Sequence, residues 1–154
     1  MPCQSTSNAF FSVIKMEIRP YQESDESSVV QLWTDCGLVV QWNNPKLDID
    51  RKLKVQREMF LVGSINGSVV ATVMAGYDGH RGWINYLAVH PDHQGSGIGR
   101  LIMDGAEKYL RNMGCPKINL QVRSANTDVI EFYKQIGYKI DDVVSLGKRL
   151  VPDE

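Results

Sequence analysis

Cysteine is scarce in this chain of 154 residues: there are three, Cys3, Cys36 and Cys115, an odd number with no C-x-x-C spacing. A disulfide framework and a thiolate zinc site are therefore not expected, and a reducing, cytoplasmic location fits best. Histidine is equally sparse. His80, His90 and His93 lie close together, but no cysteine or carboxylate stands at a recognised ligand spacing from them, so no metal site is expected. An excess of one charge is also missing: 17 basic residues face 18 acidic ones, a net charge of -1. That balance argues against nucleic acid or an anionic membrane as the main partner. No apolar run approaches the ~20 residues that a membrane helix needs.

The composition is otherwise ordinary, with 43% hydrophobic and 23% charged residues. It suits one globular domain with a real core. Residues 1–15 read as an N-terminal extension, a vector remnant or an alternative start, without the apolar core of a signal peptide. Met16 opens a sequence that looks like a natural start, which leaves 16–154 as the single domain.

Hydrophobic spacing marks the elements. Residues 15–19 form a short strand ended by Pro20. Ser24 caps a helix to about Cys36, whose apolar face is Val29, Val30, Trp33 and Cys36. A loop with Trp42, Asn43, Asn44 and Pro45 leads to a shorter helix over 48–56. Asn66-Gly67 is a hairpin signal between two strands. A third antiparallel strand, residues 83–89, closes a meander. A helix follows with Ile98, Leu101, Ile102, Ala106, Tyr109, Leu110 and Met113 on one face, ended by Gly114. Residues 118–122 alternate as a strand. Asn126 caps a helix with Val129, Ile130, Tyr133 and Ile136 as its stripe. Residues 138–140 and 143–150 make the last two strands. The pattern is α+β with a mixed, mostly antiparallel sheet of six to seven strands and about four helices.

Between the third meander strand and its helix lies Gln94-Gly95-Ser96-Gly97-Ile98-Gly99-Arg100. A strand, a glycine-rich turn and a helix in that order bring backbone N–H groups to a helix N-terminus, where a phosphate binds. The other reading is a plain surface turn. A P-loop is excluded because Arg100-Leu101 stands where Lys-Ser/Thr belongs. A dinucleotide fingerprint fails because its last glycine is Arg100 and no acidic residue ends the next strand.

What remains, Gln94-x-x-Gly97-x-Gly99, resembles the (Q/R)-x-x-G-x-(G/A) signature of the GNAT superfamily of N-acetyltransferases. Residues 86–91, Tyr-Leu-Ala-Val-His-Pro, resemble that family's fourth strand and its exit. Residues 126–138 resemble its N-x-x-A-x-x-x-Y-x-x-x-G-F/Y helix, with Val129 in place of the usual alanine. The style is that of small bacterial members akin to ribosomal-protein alanine acetyltransferases.

The resemblance implies the GNAT fold, with strands four and five splayed apart, and acetyl-CoA as acyl donor. Backbone groups of Gln94, Gly95, Ser96, Gly97, Ile98, Gly99 and Arg100 would hold its pyrophosphate. The edge of Leu87, Ala88 and Val89 would pair with the pantetheine arm, and the Val89 N–H would polarise the thioester carbonyl. Tyr133 would protonate the leaving thiolate, or it is a core tyrosine. Asn126 would touch the pantetheine arm, or it only caps its helix. The reaction implied is direct attack of a primary amine, on a small molecule or on a protein, in a ternary complex.

The base is not identified. The alanine-acetyltransferase pattern Leu-Glu-Val-Arg reads here Leu120-Gln121-Val122-Arg123, and Gln121 cannot take a proton as a carboxylate does. Asp78 and His80 are candidates by position, beside a route through water. Asp48 and Asp50, after the Trp42 loop, would recognise a cationic amine or merely favour a helix N-terminus. Two further readings stand beside the enzyme. One is a CoA-binding regulatory module without turnover. The other, compatible with either, is a homodimer whose last strands pair.

Overall fold

The dipeptide at 66–67 sets the frame of the sheet. In the computed structural model, which describes residues 15–153, strands β2 (Phe60–Ile65) and β3 (Ser68–Tyr77) meet antiparallel at Ile65 and Ser68. Asn66 (φ 51°) and Gly67 (φ 80°) between them are both left-handed, as a type I′ turn requires. Strand β4 (Gly82–Val89) returns antiparallel to β3, and β1 (Glu17–Pro20) pairs with the other side of β2. Helix α3 (Ile98–Asn112) then crosses over and places β5 (Ile118–Leu120) parallel to β4. The strand order is β1-β2-β3-β4-β5. The expected extension lies almost wholly outside the described residues.

Helices cover both faces, so β2 is buried throughout apart from its last residue. Helices α1 (Glu26–Asp35) and α2 (Pro45–Lys52) bring Val29, Leu32, Trp33 and Ile49 onto Phe60, Val62, Met74 and Ala88. Helix α3 brings Ile98, Ile102, Met103, Ala106 and Leu110 onto Leu61, Val73, Ala75 and Ile84 on the other face. The alternation of Phe60, Leu61 and Val62 between these clusters is the period-2 pattern of a strand. Helix α4 (Thr127–Gln135) joins the α3 side through Tyr133.

Two polar contacts lock this frame. The buried Trp33 Nε1 donates to Thr72 Oγ1 (2.8 Å), whose hydroxyl donates to the Tyr86 carbonyl (2.9 Å), tying α1 to β3 and β4. Arg19 donates to both Asp25 oxygens at 2.7 and 2.8 Å, and Asp25 also accepts from the Gln22 N–H. It is therefore Asp25, not Ser24, that organises the start of α1. Helix α2 starts at Pro45, with the Asn44 side chain accepting from the N–H groups of Lys46 and Leu47. It ends at Lys52, not near Gln56 as expected.

Among the described residues the sheet has five strands, not six or seven. The strands expected over 138–140 and 143–150 do not form. Among the described residues, no backbone hydrogen bond joins 139–151 to β5 or to any other strand. The alternating apolar pattern is present, but side-chain bonds, Lys117 to Asp141 and Gln121 to Ser145, are what tie the segment to the β5 side, and no ladder forms among the described residues.

The Arg19 guanidinium holds the Asp25 carboxyl below the usual carboxylate range. A depressed folded pKa gives stability that is present above about pH 4 and lost as pH falls through the folded value. Asp25→Asn is expected to lower unfolding free energy by about 2 kcal/mol at pH 7, discounted for the partial exposure of Arg19. Urea denaturation across pH checks this: the gap between parent and variant closes in acid.

Candidate functional site

Strands β4 and β5 pair only at Gly82, Trp83 and Ile84, and β4 runs on to Val89 paired with β3 but not with β5. A bulge marks the parting. Thr72 faces Ala88 but Met74 faces Asn85, so β4 carries one extra residue. Tyr86 within it takes a φ of 50°, a left-handed conformation uncommon for an aromatic residue. Its ring stacks on Trp33 with centroids 3.9 Å apart. Past the bulge, Leu87, Ala88 and Val89 have no strand partner on the β5 side among the described residues.

The glycine-rich turn follows directly. Gln94 Nε2 donates to the Val89 carbonyl (3.1 Å), and the Ser96 hydroxyl donates to the His93 carbonyl. Gly95 (φ 78°) and Gly97 (φ 85°) are left-handed, and a Cβ at either would meet nothing within 4 Å. Gly97 is the N-cap of α3 with no side-chain cap, so the first helical N–H groups have no side-chain acceptor. Open space, exposed amides and the positive helix end together fit a pyrophosphate.

Gly99 does a different job. A Cβ there would stand 3.1 Å from the Phe132 ring, so this glycine lets α4 pack on the first turn of α3. Ile98 is buried and anchors that turn, while Arg100 is exposed and forms no ion pair among the described residues.

Tyr133, two turns into α4, is buried between Phe132 and Tyr138, with ring centroids at 5.2 and 5.5 Å. Burial pushes its phenol pKa well above the ordinary value. Tyr138 donates to Glu107 (2.8 Å), whereas the Tyr133 hydroxyl donates to no described group. Asn126 sits at the N-cap of α4 but makes no side-chain cap bond, because its ψ of 70° turns it from the capping geometry. Its exposed amide is left for other partners.

The base candidates separate clearly. Gln121 is exposed and donates to Ser145 Oγ (2.5 Å). Asp78 accepts from the N–H groups of His80 and Arg81 and from Trp83 Nε1, and these bonds hold its pKa below the usual range. It is a turn-forming residue. It and the exposed His80 lie at the Gly82 end of β4, away from Val89.

On the α1–α2 side, Asp48 accepts from the Tyr86 hydroxyl (2.5 Å) and from Arg51 (3.4 Å). Asp50 is exposed on α2. Arg51 also donates to Asp153 at 2.8 Å, and Asp153 accepts from the Asn44 N–H (3.0 Å). Arg149 donates to Asn43, and the Arg123 guanidinium lies 5.0 Å over the half-exposed Trp42 ring.

Tyr86 and Asp153 are the residues that sequence reading missed. Tyr86 stood inside an apolar strand, and its bulge has no local signal. Nothing near Asp153 points to α2, more than a hundred positions away. Among the described residues, no three His, Cys, Asp or Glu side chains gather where they could hold a metal ion. No helix there is long and apolar enough to cross a membrane.

Residues 13–138 match the model of the Acetyltransferase (GNAT) family. A protein named "Acetyltransferase" from Yersinia pestis (strain Pestoides F) is 47% identical over 139 residues, 90% of this chain and 99% of its own length. Among solved structures, the ribosomal-protein-S18-alanine N-acetyltransferase of Escherichia coli superposes with a TM-score of 0.67 at 20% identity, covering 80% of this chain and 77% of its own. AAC(6')-Iy, solved with a CoA-S-monomethyl-acetylneamine bisubstrate analogue, gives 0.70 at 13% identity, covering 88% and 99%. At these identities the structures speak for the fold. The matched family model and the 47% identical relative establish what the open turn and the parted strands foreshadow: the chain belongs to the GNAT family and is an N-acetyltransferase.

Proposed function

We propose that the chain moves the acetyl group of acetyl-CoA to a primary amine by direct attack in a ternary complex. One observation carries the donor side of this reading: the uncapped turn, open at Gly95 and Gly97, stands at the end of a strand whose outer edge is unpaired past Ile84 among the described residues. Acetyl-CoA supplies a thioester whose carbonyl oxygen gains charge and whose sulfur leaves as thiolate.

The amides of residues 94–100 hold the diphosphate, and Arg100 adds a positive charge in the first turn of α3. Leu87, Ala88 and Val89 present backbone to the pantetheine arm, with the Asn126 amide beside it. The Val89 N–H supports the developing negative charge. Tyr133 returns a proton to the sulfur, and its unclaimed hydroxyl favours this role over that of a satisfied core tyrosine.

Asp48 fits the acceptor side. With Gln121 and Asp78 committed elsewhere, it is the carboxylate bonded to β4 at the bulge, through Tyr86. Tyr86 and Arg51 leave part of its capacity free, since a carboxylate accepts at about four positions. It attracts the cationic amine. It also takes one proton from the amine, directly or through the Tyr86 hydroxyl, which passes its own proton on as it accepts another.

Tyr133→Phe is expected to lower kcat about 10²-fold with the KM for acetyl-CoA nearly unchanged. Thiol release with a panel of amines and peptide N-termini measures this, and a variant as fast as the parent refutes the acid role. Tight acetyl-CoA binding in calorimetry with no turnover on any amine would instead favour a regulatory CoA-binding module.

The pH profile tests the same residue. Rate rises with pH as the amine loses its proton. A tyrosine acid of ordinary pKa would bring a falling limb near ~10. Because burial raises Tyr133, that limb is expected above pH 10. Asp48→Asn is expected to raise the acceptor KM about tenfold while acetyl-CoA affinity, read by calorimetry, stays at the parent value.

A further inference from the structure

Asp153 is held as a bound carboxylate would be. Arg51 sends both terminal nitrogens to it, Nη2 to Oδ1 at 2.8 Å and Nη1 to Oδ2 at 3.3 Å. That paired contact is how a guanidinium fork grips a carboxylate. The Asn44 N–H donates to Oδ2 at 3.0 Å from the start of α2, where the helix dipole is positive. Arg149 Nη1 stands 3.7 Å from Oδ1. The carboxylate is 1% exposed, while the Arg51 and Arg149 side chains around it are 52% and 45% exposed. A third guanidinium, Arg123, lies over the neighbouring Trp42 ring and forms no ion pair among the described residues. An anion arriving at this cradle is therefore attracted as well as bound.

The cradle adjoins the place proposed for the amine. Arg51 Nη1 lies 3.4 Å from Asp48 Oδ1 and 3.3 Å from Asp153 Oδ2, so a single nitrogen separates the two carboxylates. A molecule with its ammonium on Asp48 and its own carboxylate in place of Asp153 carries those two charges only a few bonds apart.

Asp153 is an occupant that can leave. Among the described residues, no backbone–backbone hydrogen bond joins 139–153 to the rest of the chain. Val143, Leu146 and Leu150, on the way to it, are 78–91% exposed. Lifting Asp153 out breaks its polar contacts and uncovers little apolar surface. An incoming carboxylate restores those contacts, and an uncharged group does not.

We propose that the acceptor is an amino acid, and that Arg51, Arg149 and the Asn44 N–H receive its carboxylate in place of Asp153. This rests on the acyl-transfer reading, in which Asp48 receives the amine. The amine nitrogen bonds to the acetyl carbon as the C–S bond breaks. Of the two protons the ammonium loses, one ends on the thiol and one in solvent. Asp153 acts as a filter: a plain amine leaves it in place, whereas an acceptor with its own carboxylate displaces it. Because the free chain fills the cradle itself, apparent affinity for the acceptor is lowered by the fraction of time the cradle is occupied.

Thiol release tests this with the common α-amino acids, β-alanine and γ-aminobutyrate, each beside its own carboxamide. The parent is expected to prefer one or more acids over the matching carboxamide by about tenfold in kcat/KM. Asp153→Asn is expected to raise kcat/KM for those acids by about tenfold and to leave the carboxamides at the parent value. Arg51→Gln is expected to abolish the preference. Losing the Arg51 contact to Asp48 does not imitate this, because acid and carboxamide bring the same ammonium to Asp48. Melting temperature and acetyl-CoA affinity by calorimetry, both at the parent value, show that the variants are folded. Acids and carboxamides used alike by the parent, turnover confined to amines without a carboxylate, or an acid-to-carboxamide ratio unmoved in Asp153→Asn overturns the proposal and leaves acyl transfer standing. Tight acetyl-CoA binding without turnover on any amine overturns acyl transfer, and this proposal with it.

Discussion

The parting of β4 from β5 is the constraint on which the candidate site depends. It is imposed by a bulge that forces Tyr86 into a left-handed conformation, and such a conformation persists only when its surroundings over-determine it. Here they do. The Tyr86 ring lies against Trp33, its carbonyl accepts from Thr72, and its hydroxyl donates to Asp48. Trp33 is itself fully buried and bonded to Thr72. The core under α1 therefore does more than hold a helix to a sheet. It opens the edge of β4 where, as proposed, the strand offers backbone groups to the acyl donor rather than to β5.

The same bulge explains how the two faces divide the work. The edge past it and the turn after it lead to α3 and α4 on one side, where Gly99 and Phe132 press the two helices together at the turn. The Tyr86 hydroxyl points the other way, to α2 and the polar group around Asp48, Arg51 and Asp153. A single residue thus joins the half proposed to hold the acyl donor to the half proposed to receive the amine.

Much of this was legible in the sequence where local chemistry dictates structure. The hairpin at Asn66-Gly67, the three-strand meander, α3 with its apolar stripe, and the glycine turn follow from turn residues and periodicity. What escaped depends on distant partners. The bulge at Tyr86 arises from packing on Trp33, over fifty positions earlier. Asn126 had the right identity for a cap but not the backbone angles. The last two strands had the right alternation, yet alternation reports only that a segment suits a ladder, and among the described residues no backbone bond forms one there. Asp48 was visible as a charge near a helix start, and only the folded structure joins it to β4.

These misses share a cause that also bears on specificity. Recognition of the donor, as proposed, runs through backbone amides at glycines and an unpaired strand edge. Such a site demands particular small residues at fixed spacing, so it leaves a signature that a reader of the sequence can find. Recognition of the acceptor, as proposed, runs through the Asp48 side chain on α2, which the loop before α2 and the segment ending in Asp153 surround with polar groups. These come from separate parts of the chain, and several side-chain sets can serve a cationic amine equally well. The acceptor side therefore leaves no compact motif. On this proposal it depends on the spatial arrangement of Asp48, Tyr86 and Arg51, and two chains that share the glycine turn are free to differ in every one of them.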